Sequence, residues 1–292
     1  RHLSPRLCSR DMHSSTSVSR RKKLHSIYEK VMCLIAAICL LRIYAGDKPE
    51  LTTLEVEQWI RYMHYAGVDE VYVYDAYEHA EESIRDWHRQ INLPGVTYID
   101  WHDHVPYSIR RTHVAAYQHA IERANCTWHI AMDIDEYPIV LDDLEPNFLH
   151  RLMDGLTETE YTFANFVFSG DPHDRQWLPM RMLRRFPRPL NNLCKPIYNP
   201  AHVRANIHHN IILQGRSVEF PWHTARMNHY WGGRLLNWGR DTNASLSQTI
   251  WDASIATIIQ RLEMVPLVTP TLQVPITNRF FRLRHADHRI EL

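Results

Sequence analysis

Trp128-His129-Ile130-Ala131-Met132-Asp133-Ile134-Asp135-Glu136 is the stretch on which the fold turns. Its first five residues, Trp128–Met132, are mostly apolar and read as a buried strand. That strand runs straight into Asp133-Ile134-Asp135-Glu136, three acids in four residues. In an open α/β sheet, ligands bind beyond the carboxyl ends of the strands. Carboxylates gathered there repel one another unless a cation neutralises them. Hard cations such as Mg2+ and Mn2+ favour carboxylate oxygens and leave positions open for substrate phosphates. Asp133 and Asp135 are therefore candidate metal ligands. For a D-x-D pattern alone, a solvated loop or a helix cap is the plainer explanation; the apolar strand leading into it is what raises its weight.

Upstream, strands and helices alternate. Val31–Leu41 is a continuous apolar run, as expected of a central strand covered on both faces. It is too short for a membrane helix, which needs about 20 apolar residues. Thr52 and Glu55 have the spacing of a capping box. The helix behind them puts Val56, Trp59, Ile60 and Met63 on one face, and Gly67 ends it. Glu70–Tyr74 reads as a strand with Asp75 at its end, residues 81–90 as a helix, and Val96–Ile99 as a short strand. Residues 109–124 read as a helix burying Ile109, His113, Ala116, Tyr117, Ala120 and Ile121. This alternation predicts an α/β fold with a mainly parallel central sheet and right-handed crossovers.

Downstream, Tyr161–Phe168 reads as a strand. Residues 170–235 are rich in Pro, Arg, His and Asn, and are expected to fold over the sheet edge without forming a separate domain. Residues 1–29 are Ser- and Arg-rich, with Arg20-Arg21-Lys22-Lys23, and read as a flexible basic tail. The remaining residues, 30–292, are expected to form a single domain.

The 292 residues carry 33 acids and 33 bases, a balance that excludes the chain as a whole as an electrostatic partner for nucleic acid or an anionic membrane. Five cysteines, Cys8, Cys33, Cys39, Cys126 and Cys194, include no C-x-x-C pair, which argues against a zinc knuckle or redox motif. Cys33 and Cys39 read as small buried hydrophobes, and the odd count leaves the redox compartment open. Sequons occur at Asn125-Cys126-Thr127 and Asn243-Ala244-Ser245. Asn125 borders a buried strand and is expected to stay unmodified; Asn243 is the better acceptor if the chain is luminal.

The order of these segments resembles glycosyltransferase family 92, a galactosyltransferase-type family of GT-A fold. The matching residues are Val31–Leu41, Glu57-Gln58-Trp59-Ile60, Gly67-Val68 with Tyr74-Asp75, Ala116-Tyr117-Gln118-His119 and Asp133-Ile134-Asp135-Glu136. They continue through Lys195-Pro196-Ile197-Tyr198-Asn199-Pro200, Ile207-His208 and His229-Tyr230, so the likeness covers about residues 31–240. Two departures point to a divergent branch. Arg42-Ile43-Tyr44-Ala45-Gly46-Asp47 stands where the family has an Asn-Glu pair, and His113 stands where it has Gln.

The resemblance implies a metal-dependent, inverting hexosyltransferase that uses a UDP-sugar, galactose by family habit, and an oligosaccharide or glycoprotein acceptor. It implies a Rossmann-like nucleotide-sugar-binding half over 30–143 and an acceptor-side half over 144–292. Asp133 would meet the ribose or the metal-bound phosphates, Asp135 would ligate Mn2+ (or Mg2+), and Asp75 would contact the nucleoside. His229 is the first choice for a further metal ligand, with His208 and His209 as runners-up. Lys195, Arg204 and Arg234 are candidates for holding diphosphate, where cations stabilise departing charge. Inversion needs a carboxylate to take the acceptor hydroxyl's proton. Asp171 or Asp174, in Phe168-Ser169-Gly170-Asp171-Pro172-His173-Asp174, is the candidate base, with a polar turn as the plainer reading. Trp222, Trp231 and Trp238 are candidates for stacking on sugar or for core packing. If the chain is eukaryotic, a Golgi location would follow from an upstream anchor, the chain itself touching a membrane only through a segment not included here; otherwise a cytoplasmic one is expected. Two rival readings are a sugar-phosphate nucleotidyltransferase and a catalytically inactive nucleotide- or glycan-binding protein of the same fold.

Overall fold

The computed structural model describes residues 33–42, 49–104, 109–169, 177–230 and 248–266. The expected tail over 1–29 and the sequon at Asn243 lie outside these residues. In chain order the first elements are β1 (Ile35–Arg42), α1 (Pro49–Ala66), β2 (Glu70–Ala76), α2 (Arg85–Ile91), β3 (Val96–Asp100), α3 (Ile109–Arg123), β4 (Trp128–Met132) and β5 (Glu136–Val140). There follow α4 (Phe148–Met153), β6 (Glu160–Val167), α5 (Leu178–Arg181), β7 (Arg184–Arg185), β8 (Lys195–Tyr198), β9 (Val203–Arg204), β10 (Ile211–Ile212), β11 (Ser217–Glu219), β12 (Ala225–His229), β13 (Ile250–Trp251) and α6 (Ala256–Glu263).

The main sheet runs β3-β2-β1-β4-β8-β6-β12-β5, with β11 also paired to β6. Neighbours are parallel from β3 through β4 and between β6 and both β12 and β11; β8 is antiparallel to β4 and β6, and β5 is antiparallel to β12. The chain thus adopts the expected α/β fold, a mainly parallel central sheet flanked by helices. Among the described residues no helix is long and apolar enough to cross a membrane.

β1 shows why its sequence is a continuous apolar run. Ile35, Ala37, Cys39 and Leu41 face the cluster that includes Val56, Trp59, Ile60 and Met63 of α1, while Ile38 and Leu40 face Ala116, Tyr117 and Ala120 of α3. Period-2 alternation therefore buries both faces of this strand. α1 begins earlier than the capping-box reading requires, with Pro49 in its first turn. Thr52 and Glu55 thus lie inside the helix, and Glu55 pairs instead with Arg181 at 2.7 Å, both side chains almost fully buried. At the other end Gly67 takes φ +106° while Val68 N–H donates to Met63 O at 2.9 Å, the left-handed exit that glycine allows. A Cβ at Gly67 would also stand 3.0 Å from Asn147 Cα.

Cys33 and Cys126 form a disulfide, which corrects the reading of Cys33 as a small hydrophobe. The register explains the pairing. Ile35 lies opposite Trp128 in the parallel β1–β4 pair, so the residues two positions earlier, Cys33 and Cys126, are also opposite, with Cα atoms 4.6 Å apart. Cys39 and Cys194 are buried and take part in no disulfide among the described residues, in keeping with the reading of Cys39 as a small buried residue.

A second correction concerns residues 170–235. Two strands from this polar stretch, β8 and β12, lie inside the sheet and not over its edge. The sheet must also curl. β4 and β5 are four strand spacings apart in the order, about 19 Å if flat, yet Met132 and Glu136 are four residues apart, at most about 14 Å of chain. The curl brings the far end of the sheet back to the acids.

Candidate active site

The acids occupy the turn between β4 and β5. Glu136 N–H donates to Asp133 O at 3.0 Å, and Asp133 N–H donates to the Glu136 carboxylate, Oε2, at 2.9 Å. The third acid of the motif therefore fastens its own turn. Trp59 Nε1–H of α1 donates to Glu136 O at 3.0 Å and holds the turn from beneath.

Three more strands converge here. Lys195 opens β8, and its ammonium stands 3.0 Å from Asp133 Oδ2 and 3.0 Å from Glu136 Oε2. From β6, Asn165 Nδ2 donates to Glu136 Oε1 at 3.1 Å and to Leu193 O at 3.1 Å. In the β12–β5 register His229 lies opposite Glu136. This sets His229 Nε2 3.6 Å from Asp135 Oδ1 and Nδ1 3.7 Å from Glu136 Oε1. Tyr230 N–H donates to Asp135 O at 2.8 Å, continuing the strand pairing past His229. His113 of α3 reaches Asp133 Oδ1 at 3.5 Å from the other side.

The electrostatics divide the acids by role. Glu136, 1% exposed, is engaged on both oxygens; burial lifts its pKa, against the pull of Lys195. Asp133 has the most open side chain, 36% exposed. Its enclosure by protein would lift its pKa, but Lys195 and His113 outweigh this and hold it well below the usual carboxylate range. Burial works against the Lys195 ammonium, and Asp133 and Glu136 overcome it, keeping the amine firmly protonated. Tyr117, from the Ala116-Tyr117 segment, lies near Lys195 and Asp133, and burial keeps its phenol protonated.

A divalent cation at this turn would find Asp135 Oδ1 and His229 Nε2 side by side as donors. Ligands on adjacent positions of an octahedral ion, each at about 2.1 Å, stand about 3 Å apart, so a separation of 3.6 Å needs only a small closure. Two side-chain ligands suit a metal that keeps its remaining positions for water and substrate phosphates. Carboxylate with imidazole is a donor pair that Mn2+ accepts. Elsewhere among the described residues, ligand atoms of Cys33, Glu70 and Cys126 also come together, but both sulfurs are spent in the disulfide.

Other expected residues are placed as follows. Asp75, at 0% exposure, accepts hydrogen bonds on Oδ2 from Ser83 Oγ, Ile84 N and Tyr98 OH, while Oδ1 is buried with no partner among the described residues. Burial raises its pKa although those hydrogen bonds oppose the shift. His208 feels the charges of Lys195 and Asp133, and burial first, then Lys195, pulls its pKa down to about 4. Its Nδ1 is buried without a hydrogen-bond partner among the described residues, and His209 lies against the Cys194 thiol at 3.0 Å. Arg204 is exposed on the β9–β10 ribbon, and Trp222 is half-exposed. Asp171, Asp174, Arg234, Trp231 and Trp238 lie outside the described residues. Asn165 was not foreseen. The available signal was a lone amide in the strand Tyr161-Thr162-Phe163-Ala164-Asn165-Phe166-Val167-Phe168, where burial demands a partner.

No protein-family model matches the chain, and no curated protein matches it. Among solved structures it is similar to HddC from Yersinia pseudotuberculosis, at 11% identity over 68% of this chain and 93% of that one, with a TM-score of 0.39. It is also similar to 4-diphosphocytidyl-2C-methyl-D-erythritol synthase from Anaerococcus prevotii, at 11% identity over 57% of this chain and 70% of that one, TM-score 0.30. A third similarity is to S. aureus TarS 1-349, at 12% identity over 57% of this chain and 47% of that one, TM-score 0.33. Overlaps this loose assign no activity.

Proposed function

We propose that the chain is a metal-dependent, inverting glycosyltransferase of GT-A type, related to family 92, that moves a hexose from a UDP-sugar to an oligosaccharide or protein-linked glycan. The observation that carries this reading is the approach of His229 Nε2 to Asp135 Oδ1, 3.6 Å, by residues 94 positions apart in sequence. Asp135 and His229 hold Mn2+ (or Mg2+). When bound, the ion supplies neutralisation of the charge that gathers on the departing nucleoside diphosphate. Lys195 keeps Asp133 ionised and pinned, so that Asp133 faces the donor's ribose or phosphates with a fixed carboxylate; Lys195 itself reaches a phosphate only by giving up Asp133 or Glu136. Asn165 and Glu136 fix the turn so that Asp135 is aimed before the donor arrives, the preorganisation on which electrostatic catalysis depends. Asp75 meets the nucleoside through Oδ1, and Arg234 adds positive charge beside the diphosphate. Asp171 or Asp174 takes the proton of the acceptor hydroxyl, and galactose is the favoured hexose by resemblance.

The test is UDP release from a panel of UDP-sugars, with Mn2+ or with EDTA. The expected result is release from at least one donor with Mn2+, none with EDTA, and none from Asp135→Ala with its circular dichroism unchanged. UDP-sugar binding without turnover across every donor and acceptor would instead make the chain a nucleotide- or glycan-binding protein. Pyrophosphate release from UTP and a sugar phosphate would make it a nucleotidyltransferase.

A further inference from the structure

The structure assigns Asn125 as an N-glycosylation site of a chain that matures in an oxidising compartment. From Ala124 to Trp128, in the link between α3 and β4, burial alternates residue by residue. Ala124, Cys126 and Trp128 are buried, while Asn125 and Thr127 are exposed. The two residues that define the sequon are therefore both open to the outside, while the residue between them is not. β4 itself is buried throughout, but Asn125 precedes it and is exposed, so the border with β4 does not hide it.

A second observation points the same way. Cys126, the middle residue of this sequon, turns inward and is joined to Cys33, packed beside Ala36 and Ala124. Disulfides of this kind persist in secretory and extracellular settings and are rare where thiols are kept reduced. One five-residue link therefore carries both marks of the same compartment, one on each face.

The chemistry balances. The two thiols give two electrons and two protons to the disulfide of an exchange partner, which leaves as a dithiol. At Asn125, Nδ2 bonds to the anomeric carbon of an oligosaccharide carried on a polyprenol diphosphate. The bond from that carbon to the diphosphate breaks, the diphosphate departs with the electron pair, and the amide loses one proton. This assignment is independent of the acid site.

To test it, the chain is expressed behind a cleavable secretion signal in a eukaryotic host, with Asn243→Gln removing the other sequon. Secreted and cell-retained chains are both mapped by peptide mass spectrometry after glycosidase treatment in 18O water. The expected result is 18O-labelled Asp in place of Asn125, and loss of one glycan's mass on the intact chain in Asn125→Gln and in Thr127→Ala. Thr127→Ser, which keeps the sequon and the fold, should retain the glycan. An unmodified Asn125 peptide from a chain whose Cys33–Cys126 disulfide has formed would overturn the assignment, as would a free Cys33 and Cys126 in the secreted chain.

Discussion

Lys195 has 2% of its side chain exposed and stands between Asp133 and Glu136. Removing one partner of such a buried set leaves uncompensated charge, typically a loss of about 3–5 kcal/mol. Lys195→Met should lower the urea unfolding free energy by that order, and adding Glu136→Gln should recover part of it. Recovery is the discriminating readout, because a merely lost packing contact would not be restored by neutralising Glu136. A different acid sets the chain's behaviour at low pH. Burial would raise the pKa of Asp252, but hydrogen bonds from Arg185 and Ser254 and the charge of Arg226 outweigh it and hold the carboxyl at about 2. In the unfolded chain an Asp titrates near 3.9. The folded value is the lower one, so the stabilisation is complete above about pH 4 and is lost as pH falls through about 2, about 2–3 kcal/mol in all. Asp252→Asn should be less stable than wild type at pH 6, and the difference should shrink between pH 4 and pH 2. A difference that stays constant over that range, followed by urea midpoints, would contradict the assignment. At this scale the sequence was legible where chemistry is dense: the acidic motif drew attention to Asp133 and Asp135 and the resemblance to His229, and the structure brings His229 and Asp135 side by side. Glu136 as the fastener of its own turn, and Asn165 as its partner, were not, because each role depends on a neighbour far away in sequence.

Elements were legible in proportion to their apolar pattern. β1, β2, β3, β4, β6, α1 and α3 have periodic apolar residues, and each lies within a few residues of where the pattern puts it. β5, β8 and β12 were missed. Lys195-Pro196-Ile197-Tyr198 and Ala225-Arg226-Met227-Asn228-His229 are fully buried strands with polar or charged residues, and their burial is made tolerable by partners such as Glu136 and Asp252. Hydrophobic periodicity cannot find a strand whose interior charges are paired across the sheet. The disulfide likewise follows from the β1–β4 register, which only the pairing reveals. It closes a loop of 93 residues, and such a bond is typically worth about 2–5 kcal/mol. Cys33→Ala/Cys126→Ala should lower the thermal midpoint measurably while leaving the near-ultraviolet spectrum at 20 °C native-like. An unchanged midpoint would mean that the link between β1 and β4 contributes nothing beyond the hydrogen-bonded pairing.

On the scale of the whole molecule, the candidate site exists because the sheet curls. β4 and β5 are separated in the strand order by β8, β6 and β12, yet their ends are joined by the short acidic turn. Closing that arc carries Lys195, Asn165 and His229 to one place from three strands. The first half of the chain announced an α/β fold through alternation. The curl was not legible, because it depends on which polar strand enters between which neighbours. The central claim is that this closure makes Asp135 and His229 a shared holder for a divalent ion that carries a nucleoside diphosphate. Calorimetric titration of UDP into wild type, Asp135→Ala and His229→Ala, each with Mn2+ and with EDTA, tests it most directly. The account predicts that Mn2+ tightens UDP binding at least 10-fold, about 1.4 kcal/mol, in wild type, and that the gain vanishes in both variants while their folds persist. Mn2+-dependent UDP binding of equal strength in all three proteins would contradict it.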